Sequence, residues 1–359
     1  MEAKKRKKVL EMRNLSISFT TNAGLVNAIR GVNLDVYEGE TLAIVGESGS
    51  GKSVTAKAIM GILDKNSVVN SGTILFRYHR SDGTEVESDL AKLEKKEFRK
   101  HINGKRIAMV FQDPMTSLDP TMTVGRQIME GMIWHFHTPA AEAKKRALAL
   151  LEEVGIPEPK RRMKQYPHQL SGGMRQRVVI AIALACNPEL LICDEPTTAL
   201  DVTIQAKILE LIQRIQKERG ISIIYITHDL GVVAKVADYV NVMYAGKIVE
   251  KGTIDEIFFD PRHPYTWGLL SAMPDLDTRD ERLYTIPGSP PNLLHPVSGD
   301  AFAPRNIYAL KIDERAEPPM FRISETHYAS SWLLDPRAPK VEMPPELKAR
   351  IERMKKEGL

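Results

Sequence analysis

Hydrophobic and polar residues alternate over the first part of the chain, a period of two that is typical of half-buried β-strands. The alternation runs from Val9 to Val36, with a turn around Thr20 to Gly24, and a short apolar run from Thr41 to Val45 ends at a glycine. Ser53 to Leu63 then has helical spacing, and Gly72 to Phe76 predicts another strand. We therefore expect strands that lead into a glycine-rich turn and a helix.

The centre of the chain alternates between longer helical patterns and short apolar runs. Helical spacing is found in Val124 to His135, Ala140 to Val154, Gly173 to Ala185, Ile204 to Arg219 and Leu230 to Val236. Strand-like runs are Arg106 to Phe111, Leu190 to Cys193, Ser222 to Thr227 and Tyr239 to Tyr244. Short buried strands separated by helices are typical of a mostly parallel sheet covered on both faces, so we predict an α/β core.

Two regions have weaker patterns. Arg77 to Lys105 is polar, and its charged part from Lys92 to Lys100 predicts a solvated helix or excursion. Beyond Phe259 repeated prolines predict an irregular appended segment, and Glu346 to Lys356 closes the chain as a charged helix.

Composition excludes several classes of protein. The chain has 359 residues, of which 43% are hydrophobic and 27% charged, as is ordinary for a folded, water-soluble protein. No apolar stretch approaches the roughly 18 to 20 residues that span a bilayer, so any membrane role should be peripheral. Cys186 and Cys193 lie in apolar contexts, which indicates buried thiols in a reducing compartment. The basic run Lys4 to Lys8 lacks a following apolar segment, so we interpret it as a solvated, frayed end and not a secretion signal.

A glycine-rich segment follows the apolar strand and opens a helix. It consists of Gly46, Glu47, Ser48, Gly49, Ser50, Gly51, Lys52 and Ser53. Its glycines allow successive N–H groups and the helix N-terminus to face phosphate oxygens. Lys52 should reach the β- and γ-phosphates, and the Ser53 hydroxyl should hold Mg²⁺. A chance glycine-rich turn would not need these flanking elements, so we predict a site for ATP and Mg²⁺.

Two carboxylates follow a buried strand. Asp194 and Glu195 end the run Leu190 to Cys193, and ligands of open α/β sheets collect at such strand ends. We predict that Asp194 supports Mg²⁺ and that Glu195 is the general base for the attacking water. Taken alone, the pair would indicate a surface turn, and only its combination with the phosphate loop favours catalysis.

Two further polar residues end strands. His228 follows the run Ser222 to Thr227 and could hydrogen-bond the γ-phosphate while holding the water and Glu195. Gln112 could contact Mg²⁺ and the same water. Each residue, taken alone, is an ordinary polar residue at the end of a strand.

The run Leu170 to Arg177, with sequence LSGGMRQR, resembles the signature of ATP-binding-cassette proteins. A helix N-terminus at Ser171, Gly172 and Gly173 can bind an anion. In that family the signature of one subunit closes on the phosphate loop of another, so the resemblance implies a dimer.

The resemblance extends over about residues 8 to 255 and implies further roles. Gln112 is similar to the Q-loop residue, Ala199 to Asp201 to the D-loop, and His228 to the switch histidine. Phe19 is at the position of the aromatic that stacks on adenine, although a buried strand phenylalanine has the same pattern. All signature elements are present, which implies an active ATPase.

The family also implies a fold and its divisions. We expect a P-loop NTPase cassette with a mostly parallel sheet and an antiparallel β subdomain, formed by residues 1–112 and 187–258. Residues 113–186 would form a helical subdomain, residues 259–345 an irregular C-terminal extension and residues 346–359 a charged helical tail.

Finer motifs resemble the ATPases of oligopeptide, dipeptide and nickel permeases. They are Val110 to Pro120, Asp194 to Asp201, His263 to Thr266 and Ile286 to Leu294. The signature form SGGMRQR is similar to the first of two unequal ATPases in such importers. This resemblance implies a paralogous second ATPase or an identical one, two membrane permease subunits, an extracytoplasmic solute-binding protein that acts indirectly, and a place at the cytoplasmic face of the cell membrane.

Many relatives hold a four-cysteine iron–sulfur cluster in the extension, and this chain departs from that pattern. The cysteine places hold Asp300, Asn306, Asp313 and Ser331. Because oxygen ligands cannot replace thiolates around such a cluster, we predict none. We expect burial of Phe302, Tyr308 and Trp332 to hold the segment.

Other functions remain open from the sequence. The cargo could be nickel or another solute. A soluble cassette ATPase that acts on ribosomes or DNA would usually carry two cassettes or a long coiled coil, and a non-catalytic scaffold would not need Glu195 and His228. We therefore favour a transport motor that does not bind nucleic acid.

Overall fold

The computed structural model describes residues 6–80, 82–197, 200–273 and 285–357. Its strands are β1 (Lys8–Thr21), β2 (Gly24–Tyr37), β3 (Thr41–Val45), β4 (Ser67–His79), β5 (Glu85–Asp89), β6 (Ile107–Val110), β7 (Leu190–Asp194), β8 (Ser222–Thr227), β9 (Tyr239–Tyr244), β10 (Lys247–Thr253), β11 (Phe321–Arg322) and β12 (Tyr328–Ala329). Its α-helices are α1 (Lys52–Ile59), α2 (Lys95–His101), α3 (Pro114–Ser117), α4 (Val124–Phe136), α5 (Ala140–Glu153), α6 (Pro159–Arg162), α7 (Gly172–Leu184), α8 (Val202–Arg219), α9 (Leu230–Val236), α10 (Ile254–Phe259), α11 (Pro264–Ser271) and α12 (Pro345–Glu357).

The larger sheet has the strand order β11-β12-β10-β9-β3-β8-β7-β6. Strands β6, β7, β8, β3 and β9 are parallel to their neighbours, and β10 joins β9 in the antiparallel sense. Parallel strands end at one edge of a sheet, so the segments after β3, β6, β7 and β8 meet there. This arrangement confirms the predicted α/β core.

The smaller sheet has the antiparallel order β2-β1-β4-β5. Leu10 and Met12 of β1 are buried with the period of two, and Leu15 and Ile17 continue it after a register shift between Met12 and Leu15. The sequence missed β5, which lies in the polar region Arg77 to Lys105, where we predicted no strand. Phe98 on α2 is also buried, so this helix is anchored on the core and is not wholly solvated.

Helices α4, α5 and α7 pack together beside the larger sheet. Their buried aliphatic side chains, such as Ile128, Leu151 and Val178, form one core with residues of β6 and β7. The three helices lie where the helical spacing predicted them. They present the residues after β6 and the N-terminus of α7 at the edge of the larger sheet.

The segment beyond Phe259 is more integrated with the core than we expected. Strand β12 pairs with β10, so the segment adds two short strands to the larger sheet. Phe302 is buried and packs edge-on against Tyr244 and Tyr265. Most of the described part of this segment is irregular, as predicted, but it is joined to the larger sheet and packed on the core. Two-residue strands leave no periodic pattern that a sequence could reveal.

The final helix docks on this segment. Leu347 and Ile351 of α12 are buried in the core that contains Phe302 and Trp267. The Arg350 guanidinium donates hydrogen bonds to backbone carbonyls at the end of α11. The helix was predicted as charged, and its polar face is indeed exposed, but its other face holds the extension together.

The four polar residues at the cysteine positions are all buried. Asp300 accepts a hydrogen bond from the N–H of Phe302, Asn306 from Tyr308, Asp313 from Leu310 and Ser331 from Leu333. Each side-chain oxygen therefore satisfies a nearby backbone donor, so these side chains stabilise the local turns by themselves.

Burial raises the pKa of Asp300 to about 6, with the neighbouring Asp313 acting in the same direction. Because the native state binds this proton more tightly than the unfolded chain does, its contribution to stability is present at low pH and lost as pH rises from about 4 to about 6. We expect Asp300→Asn, which keeps the oxygen that accepts from Phe302, to raise the free energy of unfolding at pH 8 by up to about 3 kcal/mol.

This gain should fall below about 1 kcal/mol near pH 4, where the aspartate is protonated in the native state and about half protonated in the unfolded chain. Urea unfolding at the two pH values measures the difference. The matched control is Asp335→Asn, because the Asp335 carboxylate is paired with Arg337 at the surface and its pKa is lowered, not raised. An equal effect of Asp300→Asn at both pH values would contradict the buried-charge explanation.

The described part of the N-terminal basic run is ordered. The Arg6 guanidinium pairs with Glu40 and lies over the Tyr37 ring, while Lys7 pairs with Glu85. The interpretation of this run as a frayed end was therefore wrong for these residues, while Lys4 and Lys5 lie outside the described residues.

Cys186 and Cys193 are buried, as predicted, and burial raises their thiol pKa values to about 11 and about 12. Among the residues that the structure describes, no helix has the length and apolar character needed to cross a membrane.

Candidate nucleotide site

The glycine-rich loop connects β3 to α1 at the carboxyl edge of the larger sheet. Gly46 has φ 152° and Gly51 has φ 106°, a region that favours glycine. A Cβ on Gly46 would lie 2.0 Å from the Met243 carbonyl oxygen, so no larger residue fits there. The loop can therefore wrap closely, and Gly51, Lys52 and Ser53 at the N-terminus of α1 line the adjoining cavity, where helix N–H groups can bind an anion.

Lys52 is the first residue of α1, and its side chain is buried. Its Nζ donates hydrogen bonds to the carbonyl oxygens of Gly46 at 2.7 Å and Glu47 at 3.0 Å. Burial lowers the pKa of Lys52, while Glu195, Asp194 and Glu47 oppose that shift. The ammonium group is therefore held at the loop by two backbone carbonyls, and Lys52 lines the cavity.

Ser53 and Asp194 bring two oxygen ligands together. The Ser53 hydroxyl donates to Asp194 Oδ1 at 3.1 Å, although the two residues are far apart in sequence. Burial raises the pKa of the Asp194 carboxyl, and the Ser53 hydrogen bond opposes the rise. Hydroxyl and carboxylate oxygens are the donors that Mg²⁺ prefers, so these residues fit the predicted metal. When bound with nucleotide, Mg²⁺ would neutralise phosphate charge.

The three residues predicted to be catalytic meet at one carboxylate. Gln112 Nε2 donates to Glu195 Oε2 at 3.1 Å, and His228 Nδ1 lies 3.1 Å from Glu195 Oε1. Glu195 has a positive φ of 46°, and its N–H donates to the Ile226 carbonyl, so its backbone is held in an uncommon conformation. All three side chains line the same cavity as the phosphate loop.

Other predicted site residues lie elsewhere. The signature residues Ser171, Gly172 and Gly173 begin α7, where Ser171 Oγ accepts from the N–H of Met174 at 3.4 Å. Asp201 caps α8 and is exposed. These residues do not line the cavity among the described residues. Ala199, which we included in the D-loop, lies outside them.

Phe19 also does not line the cavity among the described residues. It lies on β1 opposite Val26, which does line the cavity, and it packs against the core beneath the smaller sheet. Its role in stacking on adenine stays a prediction.

Sequence reasoning missed the apolar end of the cavity. Val26, Ala28, Leu269 and Leu293 line it, and the last two belong to the extension. The Leu293 carbonyl also accepts a hydrogen bond from Asn27 at 3.2 Å. Leu269 lies in a short helix and Leu293 in a proline-rich segment, and neither local pattern shows that they approach this cavity.

Two known protein families match this chain, one over its larger N-terminal part and one over its extension. Residues 29–198 match the family described as ABC transporter, and residues 249–312 match the one described as oligopeptide/dipeptide transporter, C-terminal region. The chain is 59% identical over 349 residues to the oligopeptide transport ATP-binding protein OppD of Bacillus subtilis, covering 97% of this chain and 95% of the relative. It is 56% identical to the dipeptide transport ATP-binding protein DppD of Lactococcus lactis, covering 96% and 97%.

A solved structure has a similar fold over the cassette part of the chain. A dimeric ATP-binding cassette in a post-hydrolysis state, bound to ADP and Pi, is 28% identical, with a TM-score of 0.58. The match covers 68% of this chain and 98% of that chain. The shared fold is therefore that of the cassette, and the resemblance drawn from the sequence motifs is confirmed.

Proposed function

Because the chain belongs to the ABC transporter family of ATP-binding proteins, we propose that it is the ATP-hydrolysing motor of an importer for oligopeptides or dipeptides. The observation that carries the proposal is the meeting of Gln112, Glu195 and His228 beside the phosphate loop. The relatives at more than half identity, named as oligopeptide and dipeptide transport proteins, support the cargo class.

The chemistry follows from the positions of these side chains. Lys52 and the N–H groups of the loop would hold the phosphates, and Ser53 with Asp194 would hold Mg²⁺. Glu195 would accept a proton from water as the water oxygen attacks the γ-phosphorus and the bond to the bridging oxygen breaks. Gln112 and His228 would orient this carboxylate and the water.

A second cassette is needed to complete the site. The signature residues Ser171, Gly172 and Gly173 are exposed or half-buried at a helix N-terminus, and among the described residues they stay outside their own cavity. In the proposed head-to-tail dimer they bind the phosphates held by the partner. We propose a paralogous second ATPase as that partner, because the form of the signature resembles one of two unequal subunits.

A groove on the helical part offers a surface for the membrane subunits. Its floor contains Met129 and Leu148, and its rim carries Arg126, Lys144 and Lys164. We propose that a short helix of a permease subunit lies in this groove and that closure of the dimer moves it. The proposed location is thus the cytoplasmic face of the cell membrane, with the solute-binding protein acting from the other side.

The test is reconstitution of the full chain with its natural companion subunits in proteoliposomes. We expect ATP-dependent uptake of labelled peptides that requires the peptide-loaded binding protein and stops in its absence. Uptake of Ni²⁺ without uptake of peptides would reassign the cargo. Hydrolysis that does not respond to the loaded binding protein would overturn the motor function.

A further inference from the structure

One arginine of the C-terminal extension reaches the phosphate loop. Arg305 donates from Nη1 to Glu47 Oε2 at 2.6 Å and from Nη2 to Glu47 Oε1 at 3.0 Å. Its side chain is only 4% exposed. Such a bidentate pair fixes both the direction and the charge of the carboxylate. A link across 258 residues therefore joins the extension to the loop that holds phosphate.

The arginine is itself held in place. Its Nε donates to the Pro287 carbonyl at 2.8 Å, and Nη1 also donates to the Tyr244 hydroxyl at 3.3 Å. The Glu47 hydrogen bond is the main cause that raises the pKa of Arg305, so the guanidinium remains charged. Because several groups hold Arg305, its position does not depend on Glu47 alone.

A second contact fixes the backbone of the same glutamate. The N–H of Glu47 donates to the Tyr265 hydroxyl at 2.9 Å, and Tyr265 is fully buried in the extension. On the other side of the loop, the Glu47 carbonyl accepts from Lys52 Nζ at 3.0 Å. Glu47 thus stands between the extension and the lysine predicted to reach the phosphates.

The Glu47 carboxylate is a negative charge beside the phosphate loop, and Arg305 is its counter-ion. Glu47 lines the cavity, and its side chain is 29% exposed, so an unpaired carboxylate there would face the negative phosphates. Like charges that lie close together and are partly shielded from water repel each other strongly enough to weaken binding. We propose that Arg305 is a positioning residue of the nucleotide site, which neutralises Glu47 and holds the phosphate loop ready for ATP.

This inference rests on the proposed function, since it assumes that ATP occupies the loop. The test measures binding of Mg-ATP to the full chain by isothermal titration calorimetry. We expect Arg305→Gln to weaken binding by about tenfold, because the freed Glu47 carboxylate opposes the phosphates. The double variant Arg305→Gln with Glu47→Gln should recover to within about threefold of the unmodified chain, because the repelling charge is gone.

The comparison of the two variants separates charge from structure. Both lose the same ion pair, so damage to the extension alone would weaken binding equally in both, and that result would overturn the proposal. Unchanged binding in Arg305→Gln would also overturn it. The matched control is Arg337→Gln, which removes an exposed arginine paired with Asp335 in the same extension and should leave binding unchanged. Failure of the unmodified chain to bind ATP would instead contradict the proposed function.

Discussion

Replacement of Glu195 by glutamine is expected to lower the rate of ATP hydrolysis by about 10²- to 10⁴-fold, the range that general-base catalysis contributes. The amide has nearly the same shape as the carboxylate and can still contact Gln112 and His228, which lie 3.1 Å from its two oxygens. It cannot accept a proton from water. Binding should persist, because removing a negative charge beside the phosphates does not weaken their attraction to Lys52. The closed dimer should therefore accumulate with ATP bound.

Phosphate release measures the first effect, and size-exclusion chromatography with ATP measures the second. A matched control is Glu189→Gln, the same change just before β7, whereas Glu195 follows the other end of that strand. Glu189 pairs with Arg106 at 2.7 Å, away from the cavity, so this variant should hydrolyse ATP at close to the normal rate. Hydrolysis by Glu195→Gln at the rate of the control would remove the catalytic role.

Local patterns predicted most of the core. Strand β3 was predicted with its observed ends because Glu40 and Gly46 bound a short apolar run, and α9 likewise, because it follows the capping residue Asp229 and keeps helical spacing. The residues that meet at Glu195 were also predicted, since each follows a different strand of one parallel sheet. Parallel strands end at one edge, and topology alone then brings Gln112 and His228 to the same carboxylate.

Contacts between distant segments were beyond this kind of prediction. The pairing of Arg305 with Glu47 joins a proline-rich segment to a glycine-rich loop, and neither segment has a period from which their approach could be calculated. Strand β5 was missed because its residues are mostly charged and, in the part of the chain that the structure describes, it pairs with β4 alone. Propensity is weak evidence for such a strand, since pairing decides its formation.

Replacement of Lys52 by alanine is expected to weaken binding of Mg-ATP by about 10- to 100-fold, since hydrogen bonds to charged groups contribute about 1.5 to 3 kcal/mol. Lys52 Nζ now donates to the carbonyls of Gly46 and Glu47; burial lowers its pKa, and the carboxylates nearby oppose that shift. Alanine removes the cation and leaves those carbonyls without this donor. Isothermal titration calorimetry gives the affinity directly.

Thermal unfolding with and without Mg-ATP separates loss of binding from loss of fold, because a ligand that binds only the native state raises its unfolding temperature. Lys52→Ala should unfold at nearly the same temperature with or without nucleotide. The matched control is Lys57→Ala in the last turn of the same helix, where Lys57 pairs with Asp64 at 3.7 Å, outside the cavity lining. That variant should keep the shift with nucleotide. An equal shift in Lys52→Ala would show that the loop binds phosphate without its lysine, and the assignment of this loop would then be wrong.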